Sequence, residues 1–90
     1  MSAKIITYDL DSPGQNYQLL IAEIKRYPNC VKITESCWVI NNDQSCVDVR
    51  DNLKRFIDEN DRLLVARLSG EAAWINVICG TEALKKSLNA

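Results

Sequence analysis

The chain contains no histidine among its 90 residues. That absence removes Ser–His and Cys–His nucleophile pairs, so any catalysis must run on carboxylates, hydroxyls, amines or a bound metal. Glycine and proline are scarce, at 3 and 2 residues, and there is no Gly/Ser linker, internal repeat or low-complexity tract. No apolar run approaches the roughly 20 residues that a spanning helix needs. The N-terminus lacks the charged-then-apolar plan of a secretory signal. The expected compartment is therefore the cytoplasm, with no membrane partner. The four cysteines, Cys30, Cys37, Cys46 and Cys79, include no C-x-x-C pair. A zinc site would lack its usual local pairing, and the cysteines read as reduced, buried thiols acting as small hydrophobes. A basic excess is also missing. A net charge of −1 argues against wholesale binding of phosphate backbones and leaves room only for a local patch.

What is present is an ordinary globular balance, 47% apolar and 26% charged, on a chain long enough for one modest core. A chain of this size buries only about 60–65% of its unfolded surface, so covering more apolar area by association would help it. Lys4–Leu10 is a strand apolar on both faces, which places it centrally in a sheet. Ser12-Pro13, with Gln15 three residues after Ser12, has the form of a helix start, and Tyr17, Leu20, Ile21, Ile24 and Tyr27 follow at helical spacing. This predicts a helix over about Gln15–Tyr27, ended by Pro28-Asn29. Cys30–Ile33 and Cys37–Ile40, joined around Thr34-Glu35-Ser36, read as a hairpin or one bent ribbon, and Asn41-Asn42-Asp43 is a turn. Ser45 caps a second helix, with Asp48 in its first turn, running to about Asp58 with Cys46, Val49, Leu53, Phe56 and Ile57 inward. After the polar break Asp58-Glu59-Asn60-Asp61 comes the strand Arg62–Leu68.

The order β-α-β-β-α-β predicts a single ferredoxin-like α+β domain over residues 1–90: a four-stranded antiparallel sheet with two helices on one face. Gly70–Val77 extends it as an edge strand or an ordered loop. Thr81 then caps a short helix with Leu84 and Leu88 inward. One sheet face stays uncovered in this plan, and that predicts a partner. The apolar Ala72–Val77 segment could extend a neighbour's sheet edge, so a homodimer is expected.

The first candidate site is Asp9, where a carboxylate closes an apolar strand. Such a group costs several kcal/mol to desolvate unless it is paired, hydrogen-bonded or metal-bound. It either does chemistry or accepts the amides of the Ser12–Gly14 turn. Trp38 and Trp74 are either stacking platforms for bases or packing residues. Most of the basic residues alternate with acids, as in Asp48-Val49-Arg50-Asp51, and read as solvated helix faces; Arg62 and Arg67 are the two singled out for nucleic-acid contact.

Several residues together carry a family likeness: Tyr8-Asp9 ending the first strand, Ser36 before the Trp38 strand, and Ile57-Asp58-Glu59-Asn60-Asp61 before Leu63-Leu64-Val65. In this pattern the chain resembles the small CRISPR-associated spacer-acquisition proteins, the second of that numbered series, whose superfamily includes the virulence-associated D toxins. Tyr8-Asp9-Leu10, Pro13-Gly14-Gln15-Asn16-Tyr17, Asn60-Asp61-Arg62-Leu63 and Gly70-Glu71-Ala72-Ala73-Trp74 are more similar still to small proteins labelled SinR-like. The resemblance implies a ferredoxin-like homodimer in which Asp9 is the metal ligand and catalytic residue. Two Asp9 carboxylates would face each other and share Mg²⁺, as in a metal-dependent endonuclease for RNA or DNA. It also implies a place near phosphate for Tyr8 and Ser36. The chain departs from the family where arginines would grip DNA after the metal Asp. Here that stretch reads Gln15-Asn16-Tyr17-Gln18, with no basic residue before Lys25. The departure tilts the expectation toward a structural or nucleic-acid-binding module, with a protein partner as a further option.

Overall fold

The computed structural model describes residues 2–11 and 17–90. Its elements are β1 (Ser2–Asp9), α1 (Gln18–Lys25), β2 (Val31–Thr34), β3 (Cys37–Asn42), α2 (Cys46–Lys54), β4 (Arg62–Arg67) and α3 (Thr81–Leu88). The strands form one antiparallel sheet in the order β2-β3-β1-β4, which is the ferredoxin-like α+β arrangement. β1 is central, as its two apolar faces require. The Ser12-Pro13 helix start lies outside the described residues.

Strand alternation sorts the side chains of the sheet onto two faces. Ile6 and Tyr8 of β1 and Trp38 and Ile40 of β3 point toward the helices, where they meet Leu20 and Ile24 of α1 and Val49 and Leu53 of α2. Leu63 and Val65 of β4 close the side of this core. Each fully buried aliphatic residue here contributes on the order of 1.5–3 kcal/mol. The second helix starts as its sequence predicts: Ser45 Oγ accepts the amide of Asp48 at 3.0 Å. It ends earlier, at Lys54, because Phe56 N–H turns back to Leu53 O and Ile57 N–H to Lys54 O in a tightened last turn.

Two stretches differ from expectation. Asn41 and Asn42 are strand residues, not a turn, and both are buried. Pairing with β1 outweighs their turn propensity, because each side chain has a partner. Asn41 Nδ2 donates to Ser87 O at 2.9 Å, and Asn42 Oδ1 accepts from Lys4 Nζ at 2.8 Å. Lys4 itself is buried on the helix side, its ammonium ringed by Ser2 O (3.3 Å), Ser2 Oγ (2.9 Å), Asn42 O (3.2 Å) and Asn42 Oδ1.

The second stretch is the C-terminal segment. Of the two expected forms for residues 70–77, the structure has the loop. Ile78 N–H then reaches Ile33 O at 3.0 Å and Cys79 N–H reaches Lys32 O at 3.1 Å, so the chain caps its own β2 edge. Gly80 (φ 84°) stands at the helix start where Thr81 was expected, and Thr81 is the first helical residue. α3 packs on the β2–β3 half of the face opposite the helices, burying its Leu84 and Ser87 against the side that carries Val39 and Asn41. Leu88 is half-buried. The open face is therefore confined to β1 and β4. There Ile5 pairs with Ala66, Thr7 with half-exposed Leu64, and Asp9 with Arg62.

Candidate functional site at the end of the central strand

Asp9 is the last residue of β1 and sits opposite Arg62, the first of β4. Both side chains project on the open face, and Arg62 Nη1 donates to Asp9 Oδ2 at 2.9 Å. They are 81% and 70% exposed, respectively, so the pair is worth no more than about 1 kcal/mol. The register adds a cross-strand ion pair to the roles expected of Asp9. The turn amides offered as its alternative partners, Ser12–Gly14, lie outside the described residues.

A shallow hollow of about 180 Å³, lined by Thr7, Asp9, Arg62 and Leu64 among others, opens beside the pair. Ser36 lies at the same end of the sheet, in the β2–β3 turn, where its carbonyl accepts Tyr8 N–H at 3.1 Å. Tyr8 also borders this hollow, with its side chain turned into the core. It is 8% exposed, and its hydroxyl accepts the indole N–H of Trp38 at 3.2 Å inside the core. Arg67 is at the far end of β4 from Arg62. Being five residues apart, the two also lie on opposite faces of the strand, so they do not form one stripe. On the helices the cations behave as solvated faces: Arg26 beside α1 pairs with Glu23 at 3.2 Å and Arg50 of α2 with Asp51 at 2.9 Å.

Among the described residues, no group of three or more Cys, Asp or Glu side chains could hold a metal ion. Asp9 supplies one hard oxygen donor set, suited in kind to Mg²⁺, but already paired with a guanidinium. The cysteines are all free and half-buried, less enclosed than expected. Burial pushes the Cys30 thiol up to about 11 and raises that of Cys37, so both stay protonated and unreactive.

A residue absent from the expected set organises this end of the fold. Asp61 accepts the backbone N–H of Asp58 at 2.8 Å and that of Asp11 at 2.8 Å, and the Tyr17 hydroxyl at 3.0 Å. These bonds, the Asp58 amide foremost, hold its carboxyl below the usual Asp range. One carboxylate thereby ties the exit of β1, the start of α1 and the approach to β4. The signal in the sequence was the polar break at 58–61, which marked a turn without showing that it reaches two other segments.

No protein-family model matches the chain. A comparison with solved structures finds the crystal structure of the hypothetical protein TT1823 from Thermus thermophilus, with a TM-score of 0.67 and 20% identity, covering 84% of this chain and 92% of that one. At that identity the likeness speaks to the fold, and it supports the ferredoxin-like assignment.

Proposed function

We propose that this protein is a homodimeric nucleic-acid-binding module of the small spacer-acquisition type, acting as a structural subunit. The reading is carried by the uncovered β1–β4 half of the sheet. Ile5, Leu64 and Ala66 present apolar surface there, while α3 shields only the other half. The outer edge of β4 supports the same reading. Leu68 N–H bonds Ala3 O at 2.9 Å, so ladder alternation turns the backbone groups of Leu63, Val65 and Arg67 away from β1. A second copy that paired this edge and covered this face would remove both liabilities. A stable dimer takes roughly 600 Å² or more from each copy, about a tenth of the chain's 5935 Å². Arg62 at the rim would then supply phosphate contacts from both copies.

Sedimentation of wild type and Leu64→Glu, with anisotropy of labelled single- and double-stranded RNA and DNA, tests this. The expected results are a species of twice 10.2 kDa, a monomer for the variant, and salt-sensitive binding that weakens in the variant. A wild-type monomer at micromolar concentration sinks the proposal. So does a dimer that binds no oligonucleotide.

A second reading, an endonuclease using Mg²⁺ between two Asp9 carboxylates, draws support from the exposure of Asp9 on the very face proposed for pairing. It requires a cation to displace Arg62 and to take its remaining ligands from the second copy, water and phosphate. Mg²⁺-dependent cleavage of labelled RNA or DNA that is lost in Asp9→Ala would favour it over the module.

A further inference from the structure

We propose, on the homodimer reading above, that two copies join edge to edge through β4, with the two-fold axis at Leu64. Their two four-stranded sheets then form one continuous antiparallel sheet. Ladder alternation limits how this edge can pair with itself. Arg62, Leu64, Ala66 and Leu68 bond toward β1, the last donating to Ala3 O at 2.9 Å, so the free backbone groups belong to Leu63, Val65 and Arg67. The free residues of one copy must meet the free residues of the other. A two-fold axis that keeps most of Arg62–Arg67 paired therefore passes through Leu64 or Val65. An axis at Val65 sets Arg67 opposite Leu63 and Arg62 opposite Leu68, a charge against an apolar side chain on each face. An axis at Leu64 sets Leu63 opposite Val65, Arg62 opposite Ala66 and Arg67 opposite Asp61. It also sets Leu64, 53% exposed in the single chain, against itself, where cross-strand packing covers it.

The charge along the edge fits a second copy of the chain. Arg67 stands at the last position of β4, exposed on the helix face, and among the described residues it has no ion pair. Before the first position of β4 lies the acidic turn. A hollow of about 350 Å³ opens there, lined by Lys54, Ile57, Asp58, Glu59, Asp61 and Leu63 among others, and Asp58 and Glu59 are exposed. One end of the edge is thus basic and the other acidic. A two-fold axis turns the second strand round and brings each basic end to an acidic one.

This geometry separates the two candidate sites. Each Asp9 lies one strand in from β4, opposite Arg62, and Arg62 is two residues from the axis. Three strand spacings across and four residues along put the two Asp9 positions about 20 Å apart on one face. That is too far to share one Mg²⁺, whose ligands sit at about 2 Å. On the same face the two Arg62 positions flank the paired Leu64 residues, about 14 Å from each other. The edge-paired dimer therefore serves the nucleic-acid-binding module and not the endonuclease with paired carboxylates.

The test combines cross-linking with amide exchange on the full chain. Two Leu64 residues facing each other form a non-hydrogen-bonded pair, with Cα atoms about 4.5 Å apart and within reach of a disulfide. Under mild oxidation Leu64→Cys should give a covalent dimer bridged at position 64 in peptide maps. Ala66→Cys should give none, its two copies standing about 14 Å apart. Wild type, with its four native cysteines, is the control. By NMR, the amides of Leu63 and Val65 should exchange at least tenfold more slowly in the wild-type dimer than in Leu64→Glu. Arg67→Glu reverses a charge that meets the acidic turn twice in the dimer; it should raise the dissociation constant about tenfold with circular dichroism unchanged. Three results would overturn the edge pairing while leaving a homodimer standing. They are a bridge in Ala66→Cys without one in Leu64→Cys, Leu63 and Val65 amides that exchange equally fast in dimer and variant, and a dissociation constant indifferent to Arg67→Glu. A wild-type monomer at micromolar concentration overturns the homodimer reading and the edge pairing together.

Discussion

Replacing Tyr8 with Phe asks whether the residue before Asp9 serves the core or a phosphate. The substitution keeps the ring against its neighbours and removes only the hydroxyl that accepts the Trp38 indole N–H at 3.2 Å. Both residues are buried, at 8% and 5% exposure, so water cannot step in for the lost oxygen. The orphaned indole N–H then bears its desolvation cost, about 1–3 kcal/mol. In a domain of this size each kcal/mol moves the thermal midpoint by about 4–8 °C. Urea denaturation should show a lower midpoint at unchanged slope, because the unfolded surface is the same. Trp38→Phe in a double-mutant cycle isolates the pair, and the two substitutions should be strongly non-additive. A shift below about 0.5 kcal/mol for Tyr8→Phe would refute this reasoning. A variant of full stability that had lost oligonucleotide binding would place the phenol in a nucleic-acid site after all.

Two further outcomes follow from buried and clamped polar groups. Asn41→Ala removes the amide that donates to Ser87 O at 2.9 Å and should loosen α3 from the sheet by about 1–2 kcal/mol. Faster hydrogen exchange confined to residues 81–88 is the expected readout, and unchanged protection there would count against the latch. Asp61→Asn should destabilise the protein at neutral pH. Because the folded carboxyl titrates below its ordinary value, its contribution is fully present above the ordinary Asp range and is lost as pH falls through the lowered folded value. The gap between wild type and variant in urea midpoint should therefore close on acidification, and a gap independent of pH would refute the clamp.

The periodicities that build the sheet and the two core helices were legible in the sequence because they are local. Ile6 and Tyr8, or Val49 and Leu53, declare a face through spacing alone. Asn41 and Asn42 were not legible, because their turn propensity is overruled by partners in β1 and α3, which sequence order does not bring near. The same limit hid the course of the C-terminal segment: Ala72–Val77 has strand-like residues, but α3 and the β2 edge decide where the chain runs. At the candidate site, the position of Asp9 at a strand end could be read directly. Its pairing with Arg62 depended on the register between β1 and β4. Arg62 and Arg67 looked alike as flanks of one strand, and an odd separation sends them to different faces and different neighbours.

The buried ammonium of Lys4 has a consequence for how the sheet finds its alignment. Sliding β1 against β3 by one residue would turn Ile6 and Tyr8 to the open face, and the lost apolar burial forbids it. Sliding by two leaves every apolar residue on its proper side, so hydrophobicity alone cannot tell that arrangement from the native one. In the direction that sets Lys4 opposite Trp38, however, the slide would draw the ammonium away from Asn42, whose two oxygens at 2.8 and 3.2 Å accept its protons, and strand a charge in the interior. Apolar patterning thus rules out the odd offsets, and a single lysine rules out the even offset that carries it toward Trp38, so one buried charge narrows the alignment of the two central strands and, with it, the place of Asp9.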